Sequence, residues 1–208
     1  MKINHFLRLT AFFTTMMLTA DLSGQGRIFQ LGAGNDYAAA VKSDQFHFYA
    51  SEGRQENDMW CWAACIKMVL DYQGARRIEQ CEIVKKAFGI SQCVNRPGSC
   101  YNIEDGASGW VIDGKRVSAS VDFSPSAFEL VDQLAYKNPV IIGLNMPGQN
   151  VGHAYVLTAI FFRYTAQDKK VPYKVVLRDP WPTSPSRQEF AWDDFINRIN
   201  CITYVTLN

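Results

Sequence analysis

The sequence predicts a single α+β domain in which helices precede a run of antiparallel strands. Segments with helical apolar spacing lie between residues 61 and 138, and apolar segments typical of strands follow from residue 140 to residue 207. This order is the pattern of α+β folds. A chain of 208 residues can bury one sizeable core but is short for two domains. We therefore expect an N-terminal helical part packed against a C-terminal antiparallel sheet.

Three helices are predicted from apolar residues spaced three and four apart. The first covers residues 61–73 and the second residues 78–88, and each is followed by a glycine. The third follows Ser126, a residue type that suits a helix N-cap. We expect four of its side chains to be buried: Phe128, Val131, Leu134 and Ala135.

Strands are expected after the helices. They cover the apolar segments 140–146, 153–164, 173–178 and 201–207. Residues 91–109 are rich in Gly, Ser, Asn and Cys, and glycines interrupt residues 27–53. We expect a disulfide-bonded loop in the former segment, and a loose arm or one or two edge strands in the latter.

The N-terminus has the pattern of a secretory signal. A short basic stretch precedes an apolar segment, residues 9–20, and small residues follow up to Gly24. The apolar segment is too short to cross a bilayer. We therefore expect residues 1–24 to be removed on export, with cleavage after Ala20 or after Gly24, which leaves a secreted or periplasmic protein without a membrane anchor.

The remaining chain divides into two parts. Residues 25–52 are predicted to be an N-terminal arm or a short pro-segment, and residues 53–208 the main domain. The formal net charge is +1 and charged residues make up 20% of the chain, so nothing indicates a nucleic-acid partner. We expect a monomer.

The most informative motif is Cys-Trp-Ala-Ala at residues 61–64, where the first helix begins. A thiol there lies near the helix dipole and the unpaired N–H groups of the first turn, which stabilise a thiolate. Gln55 is spaced to direct its amide at an oxyanion beside Cys61. A single cysteine is more often structural, and Cys61 with Cys65 could be metal ligands four residues apart. We favour a nucleophilic role for Cys61. We predict no metal site, because no second close Cys or His pair would complete one.

A cysteine nucleophile needs an imidazole partner, which in turn needs an orienting group. His5 belongs to the predicted signal, so His47 and His153 are the candidates. His153 follows Gly152 at the start of a predicted strand and is preferred. His47 alternates with two phenylalanines like a residue of an edge strand and is assigned a structural role.

Asp179 is the predicted orienting group. It ends an apolar segment, so its carboxylate can reach a ring on a neighbouring strand, and Trp181 could shield that contact from water. Taken alone, an Asp-Pro pair is a common turn signal and a lone His153 is more often a surface residue. Their occurrence in order after Cys61 favours the catalytic interpretation.

Four short motifs resemble those of the papain-like cysteine peptidases: Gln55, residues 61–64, Gly152-His153-Ala154 and Asp179-Pro180-Trp181. The nearest branch is the compact bacterial one, which includes staphopain-like, AvrRpt-type effector and double-glycine bacteriocin-processing peptidases. The resemblance covers about residues 53–208. The chain departs from papain in having Asp where papain has Asn, and in a shorter separation of Cys and His.

The resemblance implies a papain-like fold whose catalytic helix packs against the sheet, in a secreted thiol peptidase that acts on peptides or proteins without a cofactor. Cys61 would be the nucleophile, His153 the acid and base, and Asp179 its orienting residue. Gln55 would donate to the oxyanion. We expect their sequence neighbours to contact substrate: Trp62, Gly152 and Trp181. An acyltransferase or transglutaminase-like enzyme, or an inactive peptide-binding relative, could carry the same residues.

Export would place the six cysteines in an oxidising compartment. If Cys61 stays free, five remain, so at most two disulfides form and one buried thiol is left. Cys93 and Cys100 flank a Pro-Gly turn, and Cys81 precedes them by one helix. We predict a bridge among these three, with the pairing left open.

Overall fold

The computed structural model describes residues 27–75, 77–149 and 151–208. The predicted signal, residues 1–24, lies outside these ranges. The described residues form six helices and nine strands, and none of these helices is both long and apolar enough to cross a membrane. In chain order they are β1 (Ile28–Gln30), β2 (Asp36–Ala40), α1 (Ser43–Glu52), α2 (Cys61–Tyr72), α3 (Gln80–Phe88), α4 (Cys100–Ala107), β3 (Val111–Ile112), β4 (Lys115–Asp122), α5 (Ala127–Ala135), β5 (Val140–Leu144), β6 (His153–Tyr164), β7 (Lys170–Arg178), β8 (Arg187–Ala191), α6 (Trp192–Ile196) and β9 (Ile199–Leu207).

The strands form one curled antiparallel sheet. Its order is β1-β2-β6-β5-β9-β4-β3, and β7 and β8 extend it from β6. The long strand β6 pairs with β5 through its first half and with β2 through its second half, and β7 runs beside it on the other edge. Helices packed against an antiparallel sheet confirm the predicted α+β fold class.

Helix α2 lies at the centre of the protein. Nine of its twelve residues are buried, because α1, α3, α4, β5 and β6 all pack against it. A helix that is apolar around most of its circumference belongs in a core. Burial of each large side chain, such as Ile66 or Leu70, contributes about 1.5–3 kcal/mol. The helix and its first residue, Cys61, are therefore held firmly in place.

The predicted start of the third helix is confirmed, but one of its buried residues is not. The Ser126 hydroxyl accepts a hydrogen bond from the Glu129 N–H at 3.1 Å, in a capping box that begins α5. Phe128 was predicted to be buried and is 61% exposed. It lies in the first turn of α5, where the Lys170 ammonium stands 4.4 Å from the centre of its ring.

The loop predicted over residues 91–109 contains the helix α4. Its Gly106 suggests a break in sequence, but a Cβ there would come within 3.1 Å of Ile66 and Ile83. The glycine therefore lets α4 approach α2 and α3 closely. The missed signal was the N-cap Ser99, whose hydroxyl accepts from the Asn102 N–H at 3.2 Å. Strands β4 and β8 were also missed, because few of their side chains are fully buried.

Residues 27–52 contain two strands and a helix. β1 is an edge strand, and β2 pairs with both β1 and β6. The edge strand predicted around His47 was wrong, since this residue lies on α1. Phe46, Tyr49 and Ala50 share one helix face and are buried, whereas His47 is exposed. That residues 25–52 serve as an arm or a pro-segment stays a prediction.

Two disulfides link four of the six cysteines, Cys81 to Cys93 and Cys100 to Cys201. The first is a bridge among the three cysteines named from the sequence. The second joins α4 to β9 over a separation of 101 residues, about half of the chain, and no local signal predicts such a pairing. The free thiols are Cys61 and the buried Cys65, as expected for one nucleophile and one unpaired cysteine.

Candidate active site

Cys61 is the first residue of α2 and is partly exposed. Trp60, at the N-cap position, provides no side-chain cap to the first-turn N–H groups. These groups and the helix dipole favour negative charge at the thiol. The loop after α3 fixes the helix start: the Trp60 indole donates to the Val94 carbonyl at 2.8 Å, and the Met59 N–H donates to Asn95 Oδ1 at 3.0 Å.

His153 is the first residue of β6 and contacts Cys61. The preceding Gly152 runs so close to the partner strand that a Cβ there would come 2.8 Å from the Leu144 carbonyl oxygen. A glycine is therefore needed just before the strand. The imidazole interacts with the Cys61 thiol, and its Nε2 lies 2.8 Å from Asp179 Oδ1.

Asp179 is 4% exposed, and both of its carboxylate oxygens are hydrogen-bonded. Oδ1 accepts from His153 and from the Trp181 N–H at 2.9 Å, and Oδ2 accepts from the Gln188 amide at 2.6 Å. The Trp181 ring lies with its centre 6.4 Å from that of His153 and is 37% exposed, so it covers the contact only partly. Gln188 was not predicted, because it reaches Asp179 only once β8 pairs with β7.

The electrostatics of the site favour a charged imidazole. Burial lowers the pKa of His153, but the hydrogen bonds with Asp179 and Cys61 outweigh it and raise the pKa from 6.5 to about 9. His153 is therefore mainly an imidazolium near neutral pH. Burial and the Asp179 charge raise the pKa of Tyr155 to about 12, so the phenol that packs edge-on against His153 stays neutral.

Gln55 is buried in the loop before α2. Its backbone N–H donates to the Pro180 carbonyl at 3.0 Å, beside the turn that carries the orienting carboxylate. Its amide nitrogen donates to the carbonyls of Asn57 at 3.0 Å and Asp58 at 3.1 Å, and its Oε1 accepts from none of the described residues. The amide hydrogens thus bond their own loop, and the oxyanion role stays a prediction.

A groove of about 900 Å³ opens over Cys61 and His153. The three residues predicted to contact substrate all border it: Trp62, Gly152 and Trp181. Trp62 is only 2% exposed, because its ring lies under Gly98, where a Cβ would come within 2.6 Å of it. It therefore supports the wall of the groove more than it meets the open space.

The Cys100–Cys201 disulfide borders the same groove, together with apolar residues such as Ile103 and Leu144. None of the described residues that line the groove is a lysine or an arginine. The lining is mainly apolar with a few polar groups, as is typical of binding clefts.

The second free thiol has different properties. Cys65 lies one helical turn after Cys61 and is fully buried. Burial, with smaller contributions from Cys61 and Asp179, raises the pKa of Cys65 well above its usual value, which leaves it protonated and inert. In the part of the chain that the structure describes, no group of three side chains could hold a metal ion.

A thiol at a helix N-terminus, an imidazolium bonded to it and a fixed carboxylate form an arrangement suited to nucleophilic attack on an acyl carbon. The imidazolium stabilises the thiolate and can then donate its proton to a leaving group. The carboxylate keeps the ring in the required orientation.

Comparison with known proteins agrees with this chemistry. A family model described as "Papain-like cysteine protease AvrRpt2" matches residues 45–200, well over half of the chain. The match includes Cys61, His153 and Asp179. No curated protein shows significant similarity to the chain.

Proposed function

Because the chain belongs to the papain-like cysteine protease AvrRpt2 family and is therefore a cysteine-type peptidase, we propose that Cys61, His153 and Asp179 are its catalytic triad. The observation that carries the proposal is that the His153 ring, hydrogen-bonded to the Asp179 carboxylate at 2.8 Å, also interacts with the Cys61 thiol and borders the same groove. A peptide or protein substrate binds along the groove, with its scissile carbonyl over Cys61.

The reaction follows two steps. The Cys61 thiolate attacks the carbonyl carbon, and the carbonyl oxygen becomes an oxyanion. When the C–N bond breaks, His153 gives its proton to the leaving amine, and a thioester joins Cys61 to the acyl part. His153 then takes a proton from water, which attacks the thioester and releases the carboxylic acid and the thiolate.

Gln55 completes the oxyanion hole in this proposal, together with the backbone N–H of Cys61. One donor of this kind is worth about 3–4 kcal/mol of transition-state stabilisation. For this role, one amide hydrogen of Gln55 leaves the carbonyl of Asn57 or Asp58 when the substrate binds. The buried position of Gln55 beside both catalytic segments supports the assignment.

We place the peptidase outside the cytoplasm, as a monomer that needs no cofactor. The two disulfides support this location, since such bonds persist mainly in oxidising compartments. The signal pattern of residues 1–24 agrees with it. Trp62, Gly152 and Trp181 border the groove and are proposed to contact the substrate.

Thiol labelling tests the nucleophile, and the two free cysteines provide a matched pair of variants. Wild type, Cys61→Ala and Cys65→Ala are treated with iodoacetamide, mapped by mass spectrometry and assayed on a peptide library. We expect wild type and Cys65→Ala to be labelled at Cys61 and to cleave peptides. Cys61→Ala should do neither, and peptide cleavage by Cys61→Ala would disprove the assignment.

The products separate hydrolysis from the alternatives. Mass spectrometry of reactions run with an added primary amine distinguishes a free carboxylate from a new amide. We expect the carboxylate to dominate. A predominance of amide would indicate an acyltransferase, and peptide binding without any product would indicate an inactive relative.

A further inference from the structure

The groove has a helical side, formed by α2 and α4, and a sheet side, formed by β5, β6 and the turn after β7. Arg54 lies where these two sides meet. It follows Gly53, where a Cβ would come 2.7 Å from Met68 and 2.8 Å from the Tyr49 carbonyl oxygen, so the chain here lies tightly against α1 and α2. The Gln80 amide, which is buried, donates to the Arg54 carbonyl at 2.7 Å. The backbone of Arg54 is thus fixed to the helical part of the protein.

The side chain of Arg54 reaches across to the sheet side. Its Nη1 donates to the carbonyls of Asp179 at 2.7 Å and Trp181 at 2.9 Å, and its Nη2 donates to the carbonyl of Ser184 at 3.0 Å. A planar guanidinium has several donors in a rigid fork, which suits three converging carbonyls. The next residue, Gln55, donates its N–H to the Pro180 carbonyl of the same turn.

We propose that Arg54 is a positioning residue, which fixes the turn of residues 179–184 to the helical side and so holds the His153–Asp179 pair in line with Cys61. The inference rests on the proposed triad. Arg54 touches neither the substrate nor the reacting atoms. Its effect on the reaction passes through the turn that carries Asp179 and then through the imidazole of His153.

The test compares Arg54→Met with Arg163→Met, the same substitution at an exposed site. Arg163 pairs with Asp36 at 2.8 Å near the other end of β6. For both variants, kcat/KM is measured from pH 5 to pH 10 and divided by the fraction of molecules in which iodoacetamide leaves the buried Cys65 unlabelled, so unfolded molecules do not count. The rate of Cys61 alkylation over the same pH range needs no substrate.

Arg54→Met should lower kcat/KM per folded molecule by about tenfold to a hundredfold, since small displacements of catalytic groups carry losses of this size. Its alkaline limit should move from about pH 9 toward 6.5, and alkylation at pH 6 should slow, because a loosened Asp179 stabilises the imidazolium less. Arg54→Lys keeps the charge without the fork and should lie between Arg54→Met and wild type.

A merely structural role would lower the melting temperature and leave both pH profiles unchanged. If Arg54→Met matched Arg163→Met in kcat/KM per folded molecule and in pH dependence, the proposal would be overturned. If no variant, including wild type, hydrolysed peptides, the proposed function would fail, while the alkylation profiles would still decide the role of Arg54.

Discussion

The two sides of the groove differ in how closely their residues match the proposed mechanism. On the sheet side, His153 Nε2 lies 2.8 Å from Asp179, whose second oxygen is held by Gln188. On the helical side, Cys61 is in place at the start of α2, but the Gln55 amide bonds two carbonyls of its own loop. In the proposed mechanism, the His153–Asp179 pair is therefore formed before substrate binds, whereas the Gln55 donor is not yet free.

This difference has a physical basis. An imidazolium beside a thiolate is stable without substrate, because each charge satisfies the other. An oxyanion exists only after attack, and a buried amide without a partner costs about 1–3 kcal/mol, so without substrate the Gln55 hydrogens bond nearby carbonyls. Thiol reactivity and substrate turnover should accordingly respond to different substitutions.

Removal of the pre-formed pair should have the largest effect. We expect His153→Ala and the double variant Cys61→Ala/His153→Ala to lose about 10⁴-fold or more in kcat, and nearly equally, because triad members act as a unit. Steady-state kinetics on a cleaved peptide measures this. If the kcat loss of the double variant were the product of the two single losses, a shared step would be contradicted. His47→Ala, on the exposed face of α1, serves as the control.

Gln55→Ala should separate turnover from thiol reactivity. We expect kcat to fall by about 10²–10³-fold, the cost of one oxyanion donor. The rate of Cys61 alkylation by iodoacetamide should stay unchanged, since that reaction forms no oxyanion at a carbonyl. Gln30→Ala, at the edge strand β1, is the matched control. Normal turnover in Gln55→Ala would remove the oxyanion role, and slower alkylation would show that Gln55 positions Cys61 instead.

The parts of the site that follow from local sequence were predictable, and those that depend on distant pairing were not. The start of α2 at Cys61 and the start of β6 at His153 follow from apolar periodicity next to a polar or glycine residue. Gln188 and Arg54 have no such signal. Their partners lie on the Asp179 turn, and only the β7–β8 pairing and the crossing between the two sides bring them there.

The pH dependence of kcat/KM should test the role of the His153–Asp179 pair. The folded-state pKa of His153 is raised from 6.5 to about 9, so kcat/KM should persist to about pH 9 and fall above it as the imidazolium loses its proton. The same shift stabilises the fold fully below pH 6.5, and this contribution is lost as the pH rises through 9. Asp179→Asn should lower the alkaline limit. An unchanged limit in that variant would contradict the role of the carboxylate.

The two disulfides should have the smallest effect on the reaction, and they differ from each other. Cys81–Cys93 lies within the helical side, whereas Cys100–Cys201 joins α4 to β9 and borders the groove. In the chain-entropy model, a loop of about 15 residues stabilises by about 3 kcal/mol and one of about 100 residues by about 4.7 kcal/mol. Replacement of Cys100 and Cys201 by alanine should therefore lower the melting temperature more than replacement of the other pair.

The same replacement should raise KM, because it releases one wall of the groove from the other, and should leave kcat near that of wild type. Replacement of Cys81 and Cys93 should change neither constant. Mild reduction of the wild-type protein should lower its melting temperature while kcat is kept, since the reductant also keeps Cys61 as a free thiol. Calorimetry and kinetics on the same samples check this. A large loss of kcat on reduction, or Cys61 found in a stable disulfide in the active protein, would contradict the structural role of the disulfides and the proposed mechanism.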